Sequence, residues 1–193
     1  MKTKITPDLV HDFLAGARVF AKSVRGVIEG AVLREVAGNK VTMPQLKLLY
    51  LVAQTNSVTI GDAAEFLGVT SPAVSKAVEK LVRRRLLRRN DIQGDRRSSQ
   101  LTLTEASRRL LETYEAARNQ KAAEIFAHYS PEQLRRTSEV LDHLAAEIEH
   151  SSKDQICMQC EIYFRQECRF GRFGGRNCFY QNHRAPILKS DLP

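Results

Sequence analysis

The sequence predicts a mainly α-helical protein with one small β-hairpin: a winged helix-turn-helix core flanked by long N- and C-terminal helices. Three observations support this fold class. Apolar side chains recur at helical spacing in long segments at residues 7–36 and 105–150. Two shorter helical segments with a tight connection lie between them, at residues 59–68 and 69–87. A stretch of alternating apolar and polar residues follows, with a glycine near its centre, which is typical of a hairpin.

Start and stop signals bound the predicted helices. Gly38-Asn39 ends the first helix, and Gly68 is the expected C-cap of the third. The start signals are Pro7 and Asp8 for the first helix, Thr42 and Pro44 for the second, and Thr70 or Ser71 with Pro72 for the fourth. The apolar stripe that we expect the fourth helix to bury consists of Val74, Val78 and Leu81.

The hairpin and the last two helices follow in order. The stretches "LRRNDI" and "SQLTLT" flank "QGDRRS", so the predicted turn contains Gly94. We expect the next helix to run from Glu105 to about Tyr129. "SPEQ" then places a capping-box pattern at residues 130–133, and the final helix should continue to about residue 150.

Length and charge limit the function classes. A chain of 193 residues favours one domain with an appendage, which we divide at residues 1–150 and 151–193. Lys and Arg number 30 against 22 Asp and Glu, and the net charge of +8 suits an anionic partner. The sequence contains no apolar run of about 18 residues. Residues 1–30 lack the apolar core and cleavage site of a secretion signal. We therefore expect a cytoplasmic protein with no membrane association.

A dense cluster of arginines suggests which anion is bound. Residues 83–97 hold seven arginines against two aspartates, and the arginine fork matches phosphate oxygens and guanine edges. Many charge runs are only solvated helix faces, but this one follows a helix pair and includes a hairpin turn. A helix fits the major groove while a neighbouring ribbon reaches the backbone or minor groove, so we expect double-stranded DNA. The candidate contact residues are Ser71, Ala73, Ser75, Lys76, Lys80, Arg88, Arg89, Arg96 and Arg97.

The same stretch carries a family resemblance. "AAEFLGVTSPAVSKAVEKLVRRRLLRRNDIQGDRRSSQLTLTEAS" resembles the helix-turn-helix and wing of the MarR family of bacterial transcriptional regulators. "MPQLKLL" is similar to the segment that opens the family's second helix, and element order agrees over residues 7–150. The matching residues are Leu67, Gly68, Val69, Ser71, Ala73, Val74, Ser75, Leu81, Leu86, Arg89, Asp95, Arg96, Arg97, Leu101, Leu103, Thr104 and Glu105.

The resemblance implies a function and an assembly. The protein would be a transcriptional regulator and not an enzyme, and an obligate homodimer whose first and last two helices intertwine. The helix from Ser71 would lie in the major groove. Arg96 and Arg97 would approach the minor groove, and Asp95 would orient one of them through a salt bridge. The family's effector pocket, between the dimer helices and the winged core, accepts aromatic acids or acyl thioesters.

Two positions depart from the family's pattern. Arg85 stands where the family usually has glycine, so we expect a differently shaped helix end with one more positive charge. Ala106-Ser107 replaces the usual glycine after "LTE".

Dimerisation also follows from the first helix itself. A helix of about 30 residues with a broad apolar face exceeds what a small winged core can cover, although burial within one chain is the alternative. A twofold dimer would present two recognition helices to successive major grooves, which favours a roughly palindromic operator.

All four cysteines lie beyond the region of resemblance. Cys157, Cys160, Cys168 and Cys178 give the spacing C-x2-C-x7-C-x9-C in a Gly- and aromatic-containing segment. Three interpretations compete: unrelated thiols in an aromatic cluster, a structural zinc on four thiolates, and an iron–sulfur cluster, most simply 4Fe–4S. We favour the iron–sulfur cluster over zinc because a second close cysteine pair is missing. His183 is a possible substitute ligand.

A metal centre at this position suggests a sensor. Its loss or oxidation would disorder a segment near the dimer interface and change the spacing of the two recognition helices. The alternative signal is a small-molecule effector. The alternative outside the class of DNA-binding regulators is a metal-dependent redox protein or enzyme subunit. Such a protein would use the four-cysteine centre for electron transfer. A third possibility is a nucleoid-type DNA binder without sequence preference.

Overall fold

The computed structural model describes residues 4–55, 58–92, 95–149, 157, 160–164 and 178–180, with the backbone alone for residues 91–92, 95–99 and 149. Its elements are α1 (Pro7–Ser23), a π-helical segment (Val24–Ala31), α2 (Val32–Ala37), α3 (Met43–Gln54), α4 (Ile60–Leu67), α5 (Ser71–Arg83), β1 (Leu87–Ile92), β2 (Asp95–Leu103), α6 (Glu105–Phe126) and α7 (Pro131–Glu149). The predicted class, mainly helical with one small hairpin, is confirmed. The predicted division at residue 150 stays a prediction.

The first predicted helix is continuous but not uniform. It begins after Thr6, whose hydroxyl accepts a hydrogen bond from the Leu9 N–H at 3.3 Å, and it ends at Gly38, which has a φ of +56°. Between α1 and α2 the chain adopts π-helical geometry, which the sequence did not predict. This segment buries Ile28 and the charged Glu29. Such insertions often occur at functional sites.

The helix-turn-helix is held by local capping interactions. Thr59 and Asp62 exchange hydrogen bonds of 3.0 and 3.1 Å at the start of α4, which forms a capping box. At its end, Gly68 adopts a φ of +62°, its N–H donates to the Glu65 carbonyl, and the Val69 N–H donates to Ala64. This is a Schellman motif, and it confirms the predicted glycine C-cap between α4 and α5.

The end of α5 corrects one expectation. We expected Arg85 to give the helix end a different shape, but its φ is +57°, the left-handed conformation that glycine takes most easily. The Arg85 N–H donates to the Val82 carbonyl and the Leu86 N–H donates to Leu81, so the same Schellman pattern recurs. An arginine therefore occupies a glycine-type conformation.

The wing is a two-stranded antiparallel sheet whose register pairs Leu87 with Leu103. Strand β1 coincides with the predicted stretch "LRRNDI". Strand β2 begins at Asp95, four residues before the predicted start at Ser99, because pairing continues toward the tip of the hairpin. The predicted turn residue Gly94 lies outside the described residues. Thr104 leaves the sheet to cap α6.

The core is built around α3. Its Leu46, Leu48, Leu49 and Leu51 are completely buried, and the predicted stripe of α5 is completely buried too. Helix α6 ends at Phe126, earlier than predicted. The capping box before α7 is present, since the Ser130 N–H donates to Gln133 Oε1 at 2.8 Å and the Gln133 N–H donates to Ser130 Oγ.

The outer helices leave apolar side chains uncovered. Helix α1 buries no residue. The exposed apolar residues of α1 and α7 are Leu9, Val10, Phe13, Leu14, Val19, Phe20, Leu134, Val140, Leu141 and Ile148. Among the described residues, none of the helices has both the length and the apolar content that a bilayer crossing requires.

Candidate DNA-binding surface and cysteine segment

Helix α5 presents four of its five predicted contact residues to solvent. It has 13 residues and is about 20 Å long at 1.5 Å per residue. Ser71, Ala73, Lys76 and Lys80 are exposed, whereas Ser75 is half-buried. Because burial of the apolar stripe fixes how the helix is rotated, the polar face points away from the core. The structure thus leaves a polar and basic helix face available, with Ser75 at its edge.

The arginines between α5 and β1 extend this positive surface. The five exposed ones are Arg83, Arg84, Arg85, Arg88 and Arg89. None of the five pairs with an acidic side chain among the described residues. Three of them, Arg85, Arg88 and Arg89, line one cleft of about 550 Å³ that also reaches the start of α6. Charges that no internal acid neutralises are suited to phosphate oxygens.

The predicted wing-tip contacts fall only partly within the described structure. Asp95, Arg96 and Arg97 are the first residues of β2, which places their backbone near the tip of the wing. Their side chains lie outside the described atoms. The predicted minor-groove contact and the predicted Asp95 salt bridge therefore stay predictions.

A second cleft lies between the long N-terminal helix and the winged core. Its volume is about 700 Å³, and its lining is mainly apolar with two cationic residues. The lining residues are Val36, Ala37, Gly38, Lys40, Val41, Arg84, Leu86, Ala106 and Leu110. Sequence reasoning identified no pocket residue, because the lining comes from three separated segments of the chain. The cleft suits a ligand with an apolar body and a negative charge.

Three of the four cysteines lie in the described part of the cysteine segment, which we define as Cys157, residues 160–164 and residues 178–180. Cys157 and Cys178 are paired as neighbours in a parallel bridge, and the Phe179 N–H donates to the Cys157 carbonyl at 3.1 Å. Cys160 and Cys178 are both close enough to the Tyr180 hydroxyl to raise its pKa, after burial as the main cause. Cys168 lies outside the described residues, and so does His183. The described side chains contain no group of three His, Cys, Asp or Glu arranged to hold a metal.

The cysteine segment is part of the main core and not a separate satellite. Phe179 and Tyr180 are almost completely buried, and their rings contact Phe66 of α4 at centroid distances of 5.9 and 5.7 Å. On its other side, Glu161 forms an ion pair of 2.5 Å with Lys47 of α3. We expected this segment to lie near the dimer helices. It also contacts the helix-turn-helix, through Phe66.

The segment also covers a pair of buried charges that sequence reasoning missed. Glu29 of the π-helical segment and Arg118 of α6 are 7% and 8% exposed. The Arg118 guanidinium lies over the ring of Tyr163, 4.8 Å from its centroid, and the Glu29 carboxylate is near enough to the Tyr163 hydroxyl to affect its pKa. Burial first, and then Glu29, raises the pKa of Tyr163. No sequence signal distinguishes these charges from the exposed ones on the same helices.

Two donors near this pair have no acceptor among the described residues. They are Nη1 of Arg118 and the hydroxyl of Tyr50, and both are buried. Burial and the nearby Glu115 raise the pKa of Tyr50, although that carboxylate does not reach hydrogen-bond geometry. The unsatisfied donors make this layer costly to bury and sensitive to what covers it.

Comparison with known proteins identifies the winged core. Residues 39–98 match the model of the MarR family. The uncharacterized HTH-type transcriptional regulator YfiV of Bacillus subtilis is 25% identical over 113 residues, which are 58% of this chain and 71% of that protein. The family match includes the helix-turn-helix and agrees with the resemblance seen in the sequence.

Solved structures agree in fold. A MarR family protein from Bacillus stearothermophilus gives a TM-score of 0.65 at 18% identity, over 75% of this chain and 99% of that one. The structure of Staphylococcus aureus MarR in complex with salicylate and kanamycin gives a TM-score of 0.61 at 18% identity. The match covers 76% of this chain and 96% of that one. MarR-family proteins are transcriptional regulators rather than enzymes, and DNA binding and dimerisation are typical of them. The chain therefore contains a winged helix-turn-helix domain that matches the MarR family over residues 39–98, and a cysteine segment is joined to it.

Proposed function

We propose that the protein is a dimeric transcriptional regulator that binds a roughly palindromic operator. The observation that carries this proposal is the exposed surface formed by the polar face of α5 and by five arginines that pair with no acid among the described side chains: Arg83, Arg84, Arg85, Arg88 and Arg89. The α5 face supplies side chains for base edges in the major groove. The arginines supply charge for the phosphates, which gives affinity without sequence information.

A second copy of the chain is the proposed cover for the outer helices. No residue of helix α1 is fully buried by the described part of the chain, and half-exposed Leu9, Phe13 and Phe20 lie along it. Apolar exposure of this extent marks an interface. A twofold axis between two chains would set the distance between the two α5 helices and hence the spacing of the operator half-sites.

The test begins with selection of bound duplexes from a random DNA library, followed by fluorescence anisotropy. Lys76→Ala should weaken binding to the selected operator about tenfold, since a charge-assisted contact contributes about 1.5 kcal/mol. The slope of log affinity against log salt should fall by about one if Lys76 contacts a phosphate. Arg136→Ala removes an exposed charge from α7 and serves as the matched control. Equal effects of both variants, or no enrichment of any sequence, would contradict the proposal.

We also propose an organic anion as effector in the 700 Å³ cleft. Lys40 and Arg84 would hold its carboxylate, and the apolar wall around Leu110 would cover its body. Salicylate is a suitable probe because the S. aureus structure contains it. Millimolar salicylate should lower the operator affinity of the wild type. Lys40→Ala should weaken this salicylate effect without changing the operator affinity measured without salicylate. Equal salicylate responses of the two proteins would exclude this cleft.

For the cysteine segment we propose a metal centre on Cys157, Cys160, Cys168 and Cys178, with 4Fe–4S favoured over zinc. The adjacency of Cys157 and Cys178 supports this proposal, because it joins the two ends of the motif. A metal bound there would cross-link the segment. Oxidation or chelation would remove this metal and with it the cross-link.

An absorption spectrum and metal analysis of protein purified without oxygen test the metal centre. Iron and sulfide that disappear in Cys157→Ser/Cys160→Ser would support a cluster, and one zinc per chain would support a structural zinc. A metal-free wild type would exclude both. If electron transfer were the main role, the protein would contain a cluster and would bind no operator, either with or without the metal.

A further inference from the structure

The end of the cysteine segment is packed into the main core beside the helix-turn-helix. Phe179 and Tyr180 are each 1% exposed, and both belong to the apolar cluster that contains the buried leucines of α3. Ile162 joins the same cluster from the earlier part of the segment. Because core side chains interdigitate with few voids, a change at these positions is felt by the helices around them.

Two rings of the segment contact Phe66 of α4. The centroids of Phe179 and Tyr180 lie 5.9 and 5.7 Å from that of Phe66, and aromatic pairs at such distances attract each other beyond the effect of area burial. Gly68, which caps α4 before the turn into α5, lies two residues after Phe66. The segment therefore contacts α4 close to the turn that sets its angle to α5.

A second attachment runs to α3. The Tyr180 hydroxyl donates to the Glu161 carbonyl oxygen at 2.9 Å, and the Glu161 carboxylate pairs with Lys47 of α3. Tyr180 thus contacts α4 through its ring and is connected to α3 through its hydroxyl. These contacts hold α3 and α4 in one relative position, and both helices pack against α5.

The orientation of α5 depends on the helices that carry it. Its apolar stripe is completely buried against the core, so a shift of α3 or α4 moves α5 as well. Hydrogen bonds to base edges form only at about 2.7–3.2 Å, whereas attraction to phosphates falls slowly with distance. A small displacement of α5 should therefore weaken sequence readout before it weakens general affinity for DNA.

We propose that Phe179 and Tyr180 are positioning residues for DNA recognition. They act through Phe66 to hold α4, and with it α5, in the orientation that reads base edges. The contacts involved are rings, one hydrogen bond and one ion pair, so this role needs no metal on the cysteines. The effect on DNA rests on the proposed operator binding, whereas the docking on α4 does not.

The test uses the full chain, kept reduced and in EDTA, with the substitution Phe179→Leu. Leucine keeps the position apolar but removes the ring contact with Phe66. Hydrogen–deuterium exchange in α4 should become about fivefold faster, whereas exchange in α7 should change less than about twofold. Phe66→Leu should also speed α4 exchange, and adding Phe179→Leu to it should have little further effect, because the contact is already lost.

Fluorescence anisotropy separates positioning from general packing. Phe179→Leu should bind the selected operator about fivefold more weakly, while its affinity for a random duplex should change less than about twofold. Tyr180→Phe keeps the ring on Phe66 and removes only the hydrogen bond to Glu161. It should therefore lie between the wild type and Phe179→Leu in both measurements.

Phe126→Leu is the matched control, because it removes a ring pair with Tyr129, at 6.4 Å, outside the segment. Its α4 exchange and its ratio of operator to random-duplex affinity should be those of the wild type. Three results with Phe179→Leu would each overturn the inference: unchanged α4 exchange, equal acceleration in α4 and α7, or equal weakening for both duplexes. A wild type that binds no operator would contradict the proposed regulator, and α4 exchange would then decide the docking alone.

Discussion

Arg85 offers a sharp test, because its backbone conformation suits a different residue. At a φ of +57° a side chain with a Cβ costs about 1–2 kcal/mol, whereas glycine adopts this region without strain. Glycine also loses about 0.5–1 kcal/mol more conformational entropy on folding. Arg85→Gly should therefore stabilise the protein by about 0.5–1 kcal/mol, which corresponds to about 1–4 °C in Tm for a chain of this size.

Urea unfolding followed by circular dichroism at one fixed protein concentration measures this gain, since dimer stability depends on concentration. Arg84→Gly is the matched control: Arg84 has a φ of −83°, so glycine relieves no strain there and should cost about 0.5–1 kcal/mol. Arg85→Lys should resemble the wild type. If Arg85→Gly were no more stable than Arg84→Gly, the left-handed conformation would carry no strain and the reasoning would be wrong.

Three further predictions concern stability, each measured by urea unfolding. Phe66→Ala should cost about 3–5 kcal/mol, because it empties the space beneath two buried rings, and a loss below about 1 kcal/mol would contradict this contact. Thr59→Ala should cost about 1 kcal/mol by removing the capping box with Asp62, whereas Thr113→Ala in the exposed middle of α6 should cost less than about 0.5 kcal/mol. Burial raises the pKa of Tyr114 to about 12, so the unfolded chain loses this proton first and stability should fall by about 1.4 kcal/mol per unit above pH 10. Tyr114→Phe should lack this part of the fall in unfolding free energy above pH 10. If the unfolding free energies of the two proteins fell with the same slope against pH, Tyr114 would not be the group responsible.

Features that depend on near neighbours in the chain were predictable. The glycine at the end of α4 and the capping box before α7 follow from interactions within five residues, and the buried stripe of α5 follows from the apolar spacing along one helix. The hairpin was found in the right place, but β2 is longer than predicted because strand pairing near a turn depends on the partner strand. Candidate DNA contacts could be chosen for the same reason: burial of Val74, Val78 and Leu81 fixes which face of α5 remains outside.

The sequence by itself determined the winged helix-turn-helix, its basic surface and the clustering of cysteines, since composition, spacing and local caps are sufficient for these. Tertiary structure alone decided the π-helical segment, the burial of Glu29 and Arg118, and the docking of Phe179 and Tyr180 on Phe66. The physical reason is distance along the chain. Arg118 and Tyr163 are far apart in sequence, and no local pattern records that the buried guanidinium of one will lie over the ring of the other.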